Sequence, residues 1–209
     1  MFAPGAGRFL GPAASVAVVL LLVLAGGVLP GATLVVAGLF LVAAGLSAFF
    51  AIFFRDPERA AGPGIVSAAD GRVRAVERSG DVWRISVFMN VSNVHVNRFP
   101  IDGRVESIET HGVGHRPAYR PDAAHNVQRS YRLVTSLGSV EVVQMTGILA
   151  RRLVSFVSVG SVGRKADRLG MIVLGSRVDV VLPASRVVPV VRAGESVRAG
   201  TSSIARELP

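Results

Sequence analysis

The chain is expected to be mainly β, a sandwich- or barrel-like domain of pseudo-symmetric hairpins preceded by an N-terminal two-helix transmembrane hairpin. Three observations predict this. Residues 1–54 carry a single charged side chain, Arg8, among long runs of Ala, Val, Leu, Gly and Phe. From Ile65 to Pro209 the chain falls into short alternating apolar runs separated by Gly, Asp, Pro and Ser, the period-two pattern of half-buried strands. Two pairs of segments also echo one another: ADGRVRAVE (69–77) with IDGRVESIE (101–109), and VSVGSVGRKADRLGMI (157–172) with VRAGESVRAGTSSIA (191–205).

The apolar N-terminus comes first. About 20 apolar residues cross a bilayer core, and Phe9 to Leu29 and Ala32 to Phe54 each reach that length, with Pro30-Gly31 marking the turn between them. A cleaved secretory signal is the competing reading, but its apolar core is normally only about 7 to 15 residues. Arg8 precedes the first span while Arg55 and Arg59 follow the second, so the positive-inside tendency places both ends in the cytoplasm. Residues 1–54 are thus expected to be a membrane anchor, holding residues 55–209 on the cytoplasmic face of the cell membrane.

Composition narrows the partners. The absence of cysteine excludes disulfides and thiolate metal sites. The formal net charge is +9, and Arg and Lys still outnumber the 14 Asp and Glu once Arg8 and Arg55 are set aside. With an anchor attached, anionic lipid headgroups suit this surface better than nucleic acid, since each basic group near an acidic leaflet gains on the order of 1 kcal/mol.

The strands follow in order. Arg72 to Val76, Trp83 to Met89, Val140 to Met145 and Arg177 to Leu182 alternate, and Asp-Gly turns lead into two of the hairpins. Repeated hairpins of this kind need a counterpart to cover their apolar faces, as in sandwiches and small barrels. Residues 110–132 are polar, Pro-containing and rich in His and Arg, and read as a long loop with room for a short helix over Ala123 to Arg132.

Several groups could carry chemistry. His111, His115 and His125 lie in the loop, but their separations match no zinc pattern, so no metal is expected. Arg116, Arg120 and Arg129 suit a phosphate, which guanidinium groups bind in bidentate fashion, and suit plain solvation equally. His95, in NVSNVHVNRFPIDG, is a lone histidine on an alternating segment, where a structural role competes with a catalytic one. Asp70 in SAADGRV and its echo Asp102 both read as Asp-Gly turns, and the residues alone favour neither.

Gly175-Ser176 stands apart. Strand parity puts Ser176 on the face of Val178, Val180 and Leu182, inward, with Arg177 and Asp179 on the other. A glycine before the serine leaves its carbonyl unshielded and accepts backbone conformations that other residues resist. That suits attack by the serine on its own preceding carbonyl, giving an ester, then a cut chain and a dehydroalanine that hydrolyses to a pyruvoyl group. Such a group captures a substrate amine and acts as an electron sink. Pyridoxal phosphate would need an enzyme lysine, and the single lysine, Lys165, lies in the turn-like VGRKADRLG.

FFRDPER, SAADGRV, MNVSNVHVNRFPIDG, HRPAYRPDA, TGILARRLV and DRLGMIVLGSRVDVVLP together resemble phosphatidylserine decarboxylase proenzymes of the short prokaryotic type, from about residue 50 to 183. The resemblance implies self-cleavage between Gly175 and Ser176, giving a β chain of residues 1–175 and an α chain of residues 176–209 headed by the covalent pyruvoyl cofactor. It implies an anionic phospholipid substrate at the membrane, decarboxylated to its ethanolamine-headed product. It matches Asp70 and His95 to the family's carboxylate and histidine, so that with Ser176 they form an Asp/His/Ser arrangement for processing, in which the imidazole takes the hydroxyl proton. His95 is then also the candidate proton donor at the substrate α-carbon. Where longer family members carry a second histidine this chain has Arg98. A homo-oligomer is compatible with this reading.

Two other classes remain in view. A membrane-bound serine hydrolase acting on lipid would use the same three residues without self-cleavage, but the G-x-S-x-G elbow is missing. A membrane-anchored biotinyl- or lipoyl-like adaptor would use Lys165 and has no need of Gly175-Ser176.

Overall fold

The computed structural model describes the chain apart from residue 28 and residues 115–124, 148–151 and 174–175. It divides into two compact units, Met1–Pro57 and Glu58–Pro209.

In the first unit, α1 (Gly7–Ala25) and α2 (Thr33–Phe53) flank a 3-10 turn at Pro30–Ala32. At 1.5 Å per residue each helix is about 30 Å long, and both are long and apolar enough to cross a bilayer. Leu22, Leu34, Val35 and Leu41 are exposed while only Val36, Ala43 and Phe53 of α2 and no residue of α1 are buried, so these are not core helices of a globular domain. α1 stops short of the expected Leu29 because Gly26 and Gly27 end it, with the Gly26 N–H on Leu22 O and Gly27 in the left-handed region at φ 59°. Phe9 stacks on Phe54 at 4.9 Å between ring centroids, and the Ala3 N–H donates to Phe54 O at 2.8 Å. The start of α1 and the end of α2 therefore lie together, as a hairpin requires.

The described residues of the second unit form fourteen short strands. They are β1 (Ile65–Val66), β2 (Gly71–Ser79), β3 (Val82–Met89), β4 (Val96–Arg98), β5 (Gly103–His111), β6 (Gln128–Thr135), β7 (Gly138–Thr146), β8 (Arg152–Ser155), β9 (Val162–Gly163), β10 (Arg168–Val173), β11 (Ser176–Pro183), β12 (Val187–Pro189), β13 (Ser196–Val197) and β14 (Ser203–Glu207). One eight-stranded antiparallel sheet runs β13-β2-β3-β11-β7-β6-β5-β9, and two three-stranded sheets run β1-β14-β12 and β4-β10-β8. Ile65, Ile204, Leu169, Ile172, Val73, Tyr131 and Val180, drawn from all three sheets, share one buried core.

The large sheet repeats itself about its centre. From one edge the order is β13-β2-β3-β11, from the other β9-β5-β6-β7, and β11 pairs with β7 in the middle. β2 and β5 even bulge at matching places, between Val73 and Ala75 and between Val105 and Ser107. These are the two echoes seen in the sequence.

Two expectations are corrected. Residues 128–132 are strand, not helix, because β6 is paired on both edges, by β5 and β7, and ladder pairing outweighs a weak local helical preference. β5 reaches His111 and β6 begins at Gln128, so both ends of the expected loop 110–132 are strand, while residues 115–124 lie outside the described residues. Strand parity in β11 holds, with Ser176, Val178, Val180 and Leu182 fully buried, but the opposite face is not open to solvent: Asp179 is buried too, held by Arg177 and Arg84.

Candidate active site

Ser176 opens β11, in register with Met89 of β3 on one side and Thr146 of β7 on the other. A central strand leaves no edge for water, so the serine is fully buried and its hydroxyl donates to Met89 Sδ at 3.3 Å. A thioether is a weak acceptor. β10 belongs to the small sheet with β4 and β8, whereas β11 belongs to the large one. The two residues between them, Leu174 and Gly175, thus join strands of different sheets; both lie outside the described residues.

His95 precedes β4 and is fully buried. Its Nδ1 lies 2.9 Å from Asn93 O. A carbonyl only accepts, so Nδ1 carries the proton and Nε2 is the basic nitrogen. His95 O accepts the N–H of Ile172 in β10, which places the histidine beside the strand that leads into Ser176.

Asp70 lies at the other end of β4. It precedes β2, in the corner where Ala68 O accepts the Arg98 N–H at 2.9 Å. Its carboxylate accepts both Arg59 Nη atoms, at 2.5 and 2.8 Å, and the Ala199 N–H at 2.8 Å. The following Gly71 is obligatory: its φ is 152°, and a Cβ there would sit 2.1 Å from Phe88 O. Three residues of strand, roughly 10 Å, separate this corner from His95. Among the described residues no hydrogen bond joins Asp70, His95 and Ser176 to one another.

The remaining candidates are distributed elsewhere. Asp102 accepts the Lys165 N–H at 2.6 Å. Arg98 is buried and donates to Ala166 O at 2.8 Å. Arg129 donates to Thr110 Oγ1 and Leu153 O, tying β6 to its neighbours, while Arg116, Arg120 and His115 lie outside the described residues. No group of three His, Cys, Asp or Glu among the described residues could hold a metal.

Sequence reasoning missed three residues around the site: Arg59, Met89 and Asn97, whose Nδ2 donates to the same Met89 Sδ at 3.7 Å. Met89 and Asn97 flank His95 in MNVSNVHVN, where a polar residue among alternating apolar ones was the available signal. Arg59 closes the FFRDPER motif, which marks it without naming a partner, since its link to Asp70 is made by folding alone.

Comparison with known proteins shows the family. The phosphatidylserine decarboxylase family model matches residues 46–205. The chain is 45% identical over 169 residues to a Halobacterium salinarum protein named as a putative archaetidylserine decarboxylase proenzyme, covering 79% of this chain and 84% of the other. It is 43% identical over 164 residues to a phosphatidylserine decarboxylase proenzyme of Thermobifida fusca, covering 78% and 75%, and 39% identical over 167 residues to one of Streptomyces avermitilis, covering 79% and 77%. A buried serine where two sheets exchange the chain, with a basic imidazole beside the incoming strand, is therefore found in a protein that belongs to the phosphatidylserine decarboxylase family.

Proposed function

We infer that the protein decarboxylates a serine-headed phospholipid, and that it does so with a pyruvoyl group made from its own Ser176. The observation that carries the reading is the complete burial of Ser176 at the head of a central strand. In the uncut chain this hydroxyl is enclosed, whereas the preceding peptide carbonyl is covalently next to it. This favours self-cleavage over the serine hydrolase. The adaptor reading loses its residue, since the Lys165 Nζ donates to Gly64 O in a turn.

In processing, His95 Nε2 takes the hydroxyl proton as Ser176 Oγ attacks the Gly175 carbonyl. The C–N bond breaks, the proton passes to the released nitrogen, and an ester remains. Loss of the Ser176 α-proton and of the Gly175 carboxylate leaves a dehydroalanine, and water then replaces its nitrogen, which departs as ammonia. Asp70 is the carboxylate that stabilises the imidazolium; Arg59 holds it in the uncut chain, so its approach to His95 requires that pair to open. The products stay assembled, because β11 of the α chain is bonded to β3 and β7 of the β chain.

The pyruvoyl group supplies an electrophile for the substrate amine and a sink for the electron pair left as carbon dioxide departs. His95 returns the proton to the substrate carbon. Arg116, Arg120 and Arg129 are the candidates to meet the headgroup phosphate. α1 and α2 anchor the domain at the cytoplasmic face of the cell membrane, where the lipid already resides. The chemistry addresses only the serine amine and carboxylate, which diacyl and ether-linked lipids share.

Ser176→Ala tests the reading. Wild-type protein should resolve by mass into residues 1–175 and a fragment from 176 to 209 with a keto-bearing first residue, and should release carbon dioxide from phosphatidylserine vesicles. The variant should remain one chain and release none. Carbon dioxide release by the uncut variant would overturn the assignment.

A further inference from the structure

A chain of buried polar side chains ends beside Ser176. Tyr131, Gln144, Asn97 and Met89 are all fully or almost fully enclosed, and they come from β6, β7, β4 and β3. The Tyr131 hydroxyl donates to Gln144 Oε1 at 3.2 Å, Gln144 Nε2 donates to Asn97 Oδ1 at 2.8 Å, and Asn97 Nδ2 donates to Met89 Sδ at 3.7 Å. Met89 Sδ is the atom that also receives the Ser176 hydroxyl. Gly170 makes room for the junction of the chain, since a Cβ there would lie 2.9 Å from the Tyr131 hydroxyl and 3.0 Å from Gln144 Nε2.

The direction of these bonds is set from the far end. Burial pushes the Tyr131 phenol above its ordinary range, against the opposing influence of Ser155 and Arg129, so it is neutral and has a proton to donate. Arg129 can only donate, Ser155 gives its own proton to Val157 O, and the Tyr131 hydroxyl donates to Gln144 Oε1. Gln144 must then present its amide nitrogen to Asn97, and Asn97 must present its own to Met89. The amide that shares Met89 Sδ with the self-cleavage serine therefore offers N–H groups and keeps its carbonyl turned away.

That orientation matters to a nucleophile. A buried hydroxyl facing an amide oxygen would be tied into a full-strength hydrogen bond that must break before it can attack. Facing a thioether, it is held only weakly. We propose that Asn97 is a positioning residue for self-cleavage: Gln144 and Tyr131 turn its amide so that no strong acceptor competes for the Ser176 proton, which stays available to the base. The proposal rests on the self-cleaving reading above and adds residues that act on its rate.

The test is Gln144→Glu in the full-length chain, synthesised without cells in the presence of phospholipid vesicles, with conversion to two fragments followed on denaturing gels against pH. The ionised carboxylate of this variant still accepts from Tyr131 but cannot donate, so Asn97 turns over and its Oδ1 faces Met89 and Ser176. Conversion relative to wild type should fall about tenfold near pH 8, the size of one ordinary hydrogen bond. It should recover as pH falls and the buried carboxyl takes up a proton, which restores the donor. Asn97→Asp, which puts an acceptor at the same place with Gln144 intact, should slow and recover in the same way and serves if the first variant does not fold.

A Gln144→Glu or Asn97→Asp chain that converts at the wild-type rate, or is slowed by the same factor at every pH, would overturn the proposal. Failure of wild type itself to convert would instead overturn the self-cleaving reading.

Discussion

Asp70 accepts the backbone N–H of Ala199 at 2.8 Å, and the second half of the domain repeats the relationship, with Asp102 accepting the Lys165 N–H at 2.6 Å. Both carboxylates precede a glycine that opens a long strand, β2 or β5. Both bind the turn that follows the short edge strand paired to it, β13 or β9. The clamp is a property of the repeat. What distinguishes Asp70 is Arg59, which occupies both of its oxygens.

Asparagine at each position separates clamp from chemistry, because its side-chain oxygen still accepts the backbone N–H while the charge is gone. Asp102→Asn should lose at most about 1 kcal/mol and self-cleave normally. Asp70→Asn leaves the nearly buried Arg59 without its counter-charge, with Ala199 O still accepting from it, which should cost about 3 kcal/mol, and should slow conversion at least tenfold. Thermal unfolding and a gel time course on the two variants measure both effects. Equal cleavage rates would reduce Asp70 to a clamp.

The same repeat explains the one non-glycine residue with positive φ among the described residues. Ala166 has φ 74° and Gly200, at the equivalent place of the other turn, has φ 75°. The left-handed region costs an alanine roughly 1 kcal/mol that a glycine does not lose. Ala166→Gly should therefore stabilise the domain by about that amount, less the greater freedom of glycine in the unfolded chain, raising Tm by a few degrees. Gly200→Ala should do the reverse and more, since its Cβ would lie 2.8 Å from that of Ala166. Calorimetry on the pair decides it, and a lower Tm for Ala166→Gly would show that the turn tolerates alanine without strain.

These features were unequally visible in the sequence. The halves were legible because Asp-Gly turns and period-two runs are local signals, and Ser176 faced inward by parity along its own strand. Gln128 to Arg132 misled because polar residues on a strand paired at both edges carry no alternation, so that only the neighbours, β5 and β7, determine its state. The polar chain from Tyr131 to Ser176 was invisible for a related reason. Its members come from five strands and meet through register, which no pattern within a single segment encodes. Arg59 and Asp70 are close in sequence but sit on no common strand or helix, so no period could pair them.

The cut should leave the molecule whole. Residues 176–209 contribute β11 at the centre of the large sheet, β13 on β2 and β14 on β1. Wild-type protein solubilised in detergent should elute as one species under native conditions and part into two fragments only in denaturant. Val180, fully buried between Ile85 and Val142, is the place to weaken the assembly. Val180→Ala should lower the stability of the cut form by about 2 kcal/mol, seen as an earlier denaturant midpoint at unchanged slope. Spontaneous separation of the wild-type fragments in native buffer would contradict the strand register.

Tyr131 makes stability sensitive to alkali. Burial raises its pKa above the ordinary value of about 10, with Ser155 and Arg129 pulling the other way. A folded-state pKa above the unfolded one means that the folded chain binds the proton more tightly. The resulting stability is fully present below about pH 10 and is lost as pH climbs through the folded value. Tyr131→Phe cannot ionise. Below pH 10 it should be less stable than wild type by about 1 kcal/mol, for the missing bond to Gln144. Above pH 10 the gap should narrow, because only the wild type has a phenol whose ionisation favours unfolding. Denaturant midpoints of the two proteins at pH 8 and pH 10.5 give the comparison, and parallel losses would mean that the phenol has the same pKa in the folded and unfolded states.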